Sequence, residues 1–361
     1  MPKVTFNNKN SVFYNVLKSE VEKYFQQKHL KKTGNWRLFI KTGVLIPLAI
    51  LFYLSLLFIH MPAALAIFLC AVLGFILASI GFNVMHDACH GSFSSRKWVN
   101  NLFGYTLNAL GGTEFFWKQK HNIIHHTYTN IDGMDDDIAK SPLIRQCETQ
   151  KWVPAHRIQH IYLPFVYSIT SVAWTFIMDF AKYFNQKIVK TSLQDMGFKN
   201  HFIFWVSKVL YIAFYILIPA LIVGWKAWAI GFVVLHCVFG FTLAIVFQLA
   251  HVVEHTEFDA VSEDPKLIES EWAIHQVKTT ANFATHNKII SWFVGGLNFQ
   301  IEHHLFPRVS HIHYPAISKI VKKVCDTHGM PYHQFPTMSS AIVSHFRFMR
   351  SLGKRPTLIA N

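Results

Sequence analysis

Residues 62–90 read PAALAIFLCAVLGFILASIGFNVMHDACH, and the reading of this stretch decides the fold. From Pro62 to Met85 no side chain is charged, and a helix needs roughly 20 mostly apolar residues to cross a bilayer. The run then ends directly on His86, Asp87 and His90. Two histidines four apart share one face of a helix, so both imidazoles can aim at one point. A membrane span that stops on paired imidazoles puts polar chemistry at the membrane edge.

Working outward, Thr42 to Ile59 adds 18 uncharged residues, joined to the first run through His60, Met61 and Pro62. That short joint makes a helical hairpin. Val209–Trp225 and Ala227–Ala250 form a second hairpin, interrupted only by Lys226. Ile158–Met178 is also uncharged but carries His160, Pro164, Ser168 and Ser171. It is expected to be interfacial or re-entrant, as is Asn101–Gly112. Eight Lys/Arg precede residue 38, twelve lie in 83–200 and eleven follow residue 250, against none and one in the two hairpin turns. Positive charge marks the cytoplasmic side, so both termini and the long middle segment are expected there. The predicted fold is an all-α integral membrane protein. Four transmembrane helices in two hairpins carry interfacial helices and a cytoplasmic helical cap.

Composition agrees. The chain has 361 residues, 52% apolar and 15% charged, where soluble chains carry about 25% charged. The net charge of +14 is assigned to cytoplasmic loops and not to nucleic-acid binding. Five cysteines without a CxxC pair argue against a disulfide framework and suit a reducing compartment. No signal peptide precedes the first span. Residues 1–37 read as a cytoplasmic amphipathic segment with Phe13, Leu17, Val21 and Tyr24 on one helix face. Residues 38–335 read as the membrane domain, and 336–361 as a C-terminal helix and tail. Within the membrane domain a helix is expected from Pro315 to Gly329. Another is expected from Ser339 to Leu352.

Histidine is the second anomaly, with 22 residues. Beyond HDACH, the clusters are HNIIHH (His121, His125, His126), His251 with His255, and QIEHH (Gln300, His303, His304). His29, His60, His236, His328 and His333 read as ordinary solvated or hydrogen-bonded residues. Imidazole suits Zn, Fe, Cu and Ni. A zinc site takes three or four protein ligands, so eight clustered histidines point to two metals. His251-Val-Val-Glu-His255 matches the inverted zinc-protease pattern but leaves the other clusters unused, and haem needs only two axial ligands. A histidine-rich di-iron centre is the best chemical reading.

HDACH, HNIIHH and QIEHH, in this order around two hydrophobic hairpins, resemble the three histidine boxes of membrane fatty-acid desaturases. The flanking segments GGTEFFWKQKHNIIHHTYTNIDGMDDDI and GGLNFQIEHHLFP are similar as well. Gln300, where many relatives have histidine, resembles the front-end branch of Δ5 and Δ6 acyl desaturases, including linoleoyl-CoA-type enzymes. The resemblance implies His86, His90, His121, His125, His126, His303 and His304 as metal ligands. His251 is implied as an eighth, with Gln300 ligating weakly or through water. Asp87, Asp135, Asp136, Glu254 and Glu302 are candidates to orient ligand imidazoles; His255 and His275 are expected nearby or facing substrate. It further implies two non-haem irons, O2 as co-substrate and a fatty acyl-CoA or acyl-lipid substrate in the membrane. No HPGG haem motif occurs, so electrons are expected from a separate donor of cytochrome b5 or ferredoxin type, drawn to the basic cytoplasmic face. That absence points to a bacterial inner membrane. A membrane hydroxylase on the same scaffold and, more distantly, a metal transporter remain as alternatives.

Overall fold

In a lipid interior every backbone N–H and C=O must pair within the protein, and a helix does so within one segment. The computed structural model describes residues 4–9, 11–139, 142–261 and 266–355. It begins with an amphipathic helix α1 (Val12–Gln27), followed by the long apolar helices α2 (Trp36–Phe58) and α3 (Ala63–Cys89). Helix α4 spans 114–128 and carries the HNIIHH cluster. Next come α5 (Pro154–Ser168) and α6 (Thr170–Asn185), then the long apolar pair α7 (Gly197–Val223) and α8 (Trp225–His251). The chain closes with α9 (Trp272–Lys278), α10 (Gln300–Leu305), α11 (Tyr314–Thr327) and α12 (Met338–Leu352). Among the described residues, strands are confined to two-stranded pairs, such as Asn282–Phe283 beside Gln334–Phe335, which ties the segment before α10 to the one after α11.

Among the described residues these four long helices are long and apolar enough to cross a membrane, and α5 with α6 would make a fifth only as one bent span. Two start earlier than their uncharged runs suggest. α2 begins at Trp36 and not Thr42, and α7 at Gly197 and not Val209. The reason is that the lysines that ended those runs are buried and fully bonded. Lys41 Nζ donates to Asn83 Oδ1 at 2.9 Å and to the Trp292 carbonyl at 3.2 Å. Lys208 Nζ reaches the Gly111 and Thr175 carbonyls and pairs with Asp179 at 3.1 Å. A charge that satisfies its donors inside the fold does not end a helix.

α3 and α8 make the central contact. Gly74 lies so close to the Leu235 carbonyl that no side chain fits there, the close backbone approach that small residues permit. At Gly240, α8 meets the junction of α5 and α6, where an added Cβ would lie 2.7 Å from the Ser168 carbonyl. Those two helices bend by 58° at Ile169. The Ile158–Met178 stretch is therefore broken and not a straight crossing.

α1 buries Phe13, Leu17, Val21 and Phe25, so Phe25 and not Tyr24 completes the stripe. Phe13 and Leu17 pack with Ala273 and Val277 of α9, Ile301 and Leu305 of α10, and Val321 of α11. Val21 and Phe25 pack with Phe299 and Ile317. α1, α9, α10 and α11 thus form one helical layer over the ends of α3 and α8. Residues 356–361 of the expected C-terminal tail lie outside the described residues.

Leu17 is fully buried in this layer. Leu17→Ala is expected to cost about 3 kcal/mol through the lost contacts and the cavity left behind. In detergent this should appear as a lower thermal midpoint, whereas Tyr24→Ala should shift it less.

Candidate metal centre

Two widened turns shape the site. At Gly81–Met85 and at Lys118–His125 the backbone bonds run i→i−5: the His86 N–H donates to the Gly81 carbonyl and the His126 N–H to that of His121. Such turns rotate the residues after them relative to a regular helix and recur at functional sites. In α4 the widened turn brings His126 onto the face of His121, with their Nε2 atoms 3.2 Å apart. Just before α10, Gly295 (φ +59°) rests on the Phe82 backbone so closely that any side chain would collide. That contact presses the QIEHH segment against the first widened turn.

Two groups of nitrogens result. His86, His90, His121 and His303 each present a ring nitrogen within 4.8 Å of the others, and so do His125, His251 and His304; all are buried. His126 stands between the groups, its ring 4.6 Å from that of His303 and 4.4 Å from that of His304. The adjacent His303 and His304 diverge into different groups, as the ~100° step between neighbours on a helix requires. His121 and His125, expected to aim at one point, divide between the groups in the same way, although Asp137 joins both in a third, smaller set.

Whether a metal fits can be judged from the nitrogens themselves. Nε2 of His86, His90, His125, His303 and His304, Nδ1 of His126 and both nitrogens of His251 are buried with no hydrogen-bond partner among the described residues. One such orphan costs about 1–3 kcal/mol, so a cluster of them persists only if something takes the lone pairs. Burial, and then repulsion from neighbouring imidazoles, pushes His90, His121, His303 and His304 well below the usual histidine range. Those four rings are therefore neutral donors, and an all-imidazole set suits a transition metal.

Outer contacts lock the rings. His125 Nδ1 lies 3.0 Å from Asp135 Oδ2 and 3.5 Å from Asp137. His304 Nδ1 meets Gln276 Oε1 at 2.8 Å, and His303 Nδ1 meets the Tyr314 hydroxyl at 3.0 Å. Each bond turns the opposite nitrogen toward the centre. Trp117 stacks on His121 with ring centres 4.3 Å apart. Of these, only Asp135 was expected from the sequence. Trp117, one helical turn before His121, was legible there; Gln276 and Tyr314 carry no spacing signal.

Several expected neighbours stand elsewhere. Asp87 accepts from Ser310 Oγ at 2.6 Å and lies 3.1 Å from His311 Nδ1, tying α3 to the chain after α10. Asp136 pairs with Lys182 at 3.3 Å. Glu302 accepts from Asn282 Nδ2 and the Tyr332 hydroxyl, and burial raises it to about 7. The Glu254 N–H donates to Ser344 Oγ, and His255, exposed and at φ +78°, lies against His333. His275 bonds the Thr129 carbonyl at 2.8 Å and so braces the chain after α4. Gln300 is buried with its Oε1 unpartnered among the described residues.

A family model described as "Fatty acid desaturase" matches residues 62–336. The chain belongs to the fatty acid desaturase family. Desaturase relatives span nearly its whole length. An sn-1 linoleoyl-lipid 6-desaturase of Arthrospira platensis is 35% identical over 98% of this chain and 96% of its own. A second protein of that name, from Synechocystis, is 34% identical over 98% of both. An acyl-lipid (8-3)-desaturase of Physcomitrium patens is 32% identical over 95% of this chain and 72% of its own.

Asp135→Asn is expected to lower metal affinity 10–100-fold, because the amide cannot hold the His125 ring as the carboxylate does. His255→Ala should leave affinity unchanged. Metal titration of the purified apoprotein distinguishes the two.

Proposed function

We propose that this desaturase introduces a cis double bond into a fatty acyl chain, front-end in the Δ6/Δ5 manner, at a histidine-held di-iron centre. The two buried groups of unpartnered imidazoles carry the reading. His86, His90, His121 and His303 would hold one iron and His125, His251 and His304 the other, with His126 between. Gln300, a neutral amide, would tune the centre and not build it. When bound, the two irons supply reductive activation of O2: with two electrons, two protons and two substrate hydrogens it leaves as two waters, and the CH2–CH2 becomes CH=CH.

The chain's own residues do the rest. Asp135, Gln276 and Tyr314 hold the rings in one tautomer. Met85, Cys89, Leu107 and Trp117 form a buried apolar cluster, and Trp117 lies edge-on to His86 and His90 with ring centres 5.6 Å away. That wall excludes water and receives a hydrocarbon chain, each buried CH2 contributing about 0.8 kcal/mol. Electrons would come from a separate cytochrome b5- or ferredoxin-type donor drawn to the basic face.

The charge distribution supports both termini and the site facing the cytoplasm; a bacterial inner membrane rests on the lack of an HPGG motif in the sequence, and 1–37, 38–335 and 336–361 serve as the working segments. A hydroxylase would share the metal set, but the relatives named above are all desaturases. Transport would place ligands at mid-span, whereas these sit at span ends.

Purified protein should contain close to two irons per chain and little zinc, and lipid profiling of an expressing host lacking polyunsaturates should reveal a new double bond. His303→Ala should lose both iron and product. Gln300→Ala should keep most of its iron and lose less activity. An equal loss of iron in both variants would make Gln300 a structural ligand. For topology, tags at 61 and 226 should report the far side and a tag at 190 the cytoplasm. Finding 190 outside would mean that α5–α6 spans and that the single-site arrangement fails.

A further inference from the structure

Midway along α8, His236 is buried inside the span and belongs to neither metal group. Its Nε2 lies 2.8 Å from the Tyr211 hydroxyl of α7, and its Nδ1 lies 3.0 Å from Ser171 Oγ of α6. The Ser171 hydroxyl itself donates to the His236 carbonyl at 3.0 Å, so that oxygen accepts from Nδ1–H. Nε2 is then the lone-pair side of a neutral imidazole, and the Tyr211 hydroxyl donates to it. A phenol bonded to a base can give up an electron and pass its proton to that base in the same event, which leaves no charge on the ring.

Trp174 is arranged in the same way. Its Nε1 donates to Asp179 Oδ1 at 3.0 Å, while Thr113 and Lys208 hold the other carboxylate oxygen at 2.7 and 3.1 Å. The two rings bear on adjacent glycines before α4. A Cβ on Gly111 would lie 2.7 Å from Tyr211 Cε2, and one on Gly112 3.3 Å from Trp174 Cζ2. Trp174 in turn packs against the cluster of Met85, Cys89, Leu107 and Trp117, and Trp117 stacks on His121 with ring centres 4.3 Å apart. Indole and phenol are the protein rings that lose an electron most easily. The three residues therefore mark a stepwise path from the histidine groups into the membrane span. It leads away from the basic face, so it does not serve a donor docked there.

We propose that Trp117, Trp174 and the Tyr211–His236 pair drain oxidising equivalents from the histidine groups when no acyl chain is in place. In a productive turnover O2 takes two electrons from the donor and two from the substrate CH2–CH2. Without substrate the last two are missing. Tyr211 gives one, its O–H proton passing to His236 Nε2. Trp174 gives the other, its N–H proton passing to Asp179, and Trp117 relays both electrons toward His121. The two waters take their four protons from solvent. Two further electrons from the donor then restore both rings, and the two protons return. The clustered imidazoles are thereby spared oxidation. The inference rests on the desaturase reading above.

The test uses the full iron-loaded chain in nanodiscs, reduced with dithionite, freed of the excess and mixed with O2 in a single turnover. Without acyl substrate, freeze-quenched samples read by electron paramagnetic resonance should show a tyrosyl radical. Nanodiscs carrying linoleoyl phosphatidylglycerol and linoleoyl monogalactosyl diacylglycerol should suppress it and give product instead. Tyr211→Phe should lose the radical while keeping its iron and its product yield. Trp174→Phe should slow the radical's appearance several-fold. Over repeated substrate-free cycles, peptide mass spectrometry should find oxidised His121 and Trp117 accumulating several-fold faster in Tyr211→Phe than in the wild type. A radical unchanged in Tyr211→Phe overturns the inference, and so does equal damage in the two proteins. Product without any radical overturns the inference alone. A radical that Tyr211→Phe abolishes, in a chain that makes no product, supports the relay and counts against the desaturase reading, and the lack of both overturns both.

Discussion

The structure is organised around one constraint: buried imidazole nitrogens, facing one another, without protein partners. Left alone they are a large liability, since each orphan costs stability. Every element that brings a histidine inward must therefore be held by other contacts until the lone pairs are used. This accounts for the dense outer layer of Asp135, Gln276 and Tyr314, and for the close glycine contact that seats α10 on α3.

The widened turns follow from the same constraint. A regular helix bearing HNIIHH would send His126 about 100° away from His125 and well off the His121 face. Bonding His126 back to His121 across five residues brings the two rings together at right angles, with centres 4.8 Å apart. One short helix can then serve two groups and the space between them. The cost is a weakened hydrogen-bond ladder, which a buried, well-packed helix such as α4 tolerates.

Much of this was legible in the sequence, and for physical reasons. Long uncharged runs have no fold available in lipid other than helix or closed barrel, and four-residue histidine spacing is a local geometric fact. The illegible parts were non-local. Lys41 and Lys208 looked like span boundaries because their partners, Asn83 and Asp179, lie 42 and 29 residues away. Asp136 looked as good as Asp135, because only the turn after Asn130 decides which carboxylate meets His125 and which meets Lys182. Glu302 sits between two implied ligands yet turns away, since the helix face opposite His303 and His304 belongs to Asn282 and Tyr332.

The cap must also be considered as part of the centre. The clustered histidines come from segments separated by more than 200 residues, and those of α10 reach the others only when α10 is pressed inward. α1 does this: Leu17 packs on Ile301 and Leu305, and Phe25 on Phe299. A segment distant in sequence from every histidine box thus bears directly on the geometry of the third. Metal binding and docking of the cap would draw on the same free energy, because a metal held by His303 and His304 would favour the docked α10 and a docked α10 presents those imidazoles. Loss of either weakens the other, so the amphipathic N-terminal helix belongs to the machinery of the site although none of its side chains reaches the metal groups.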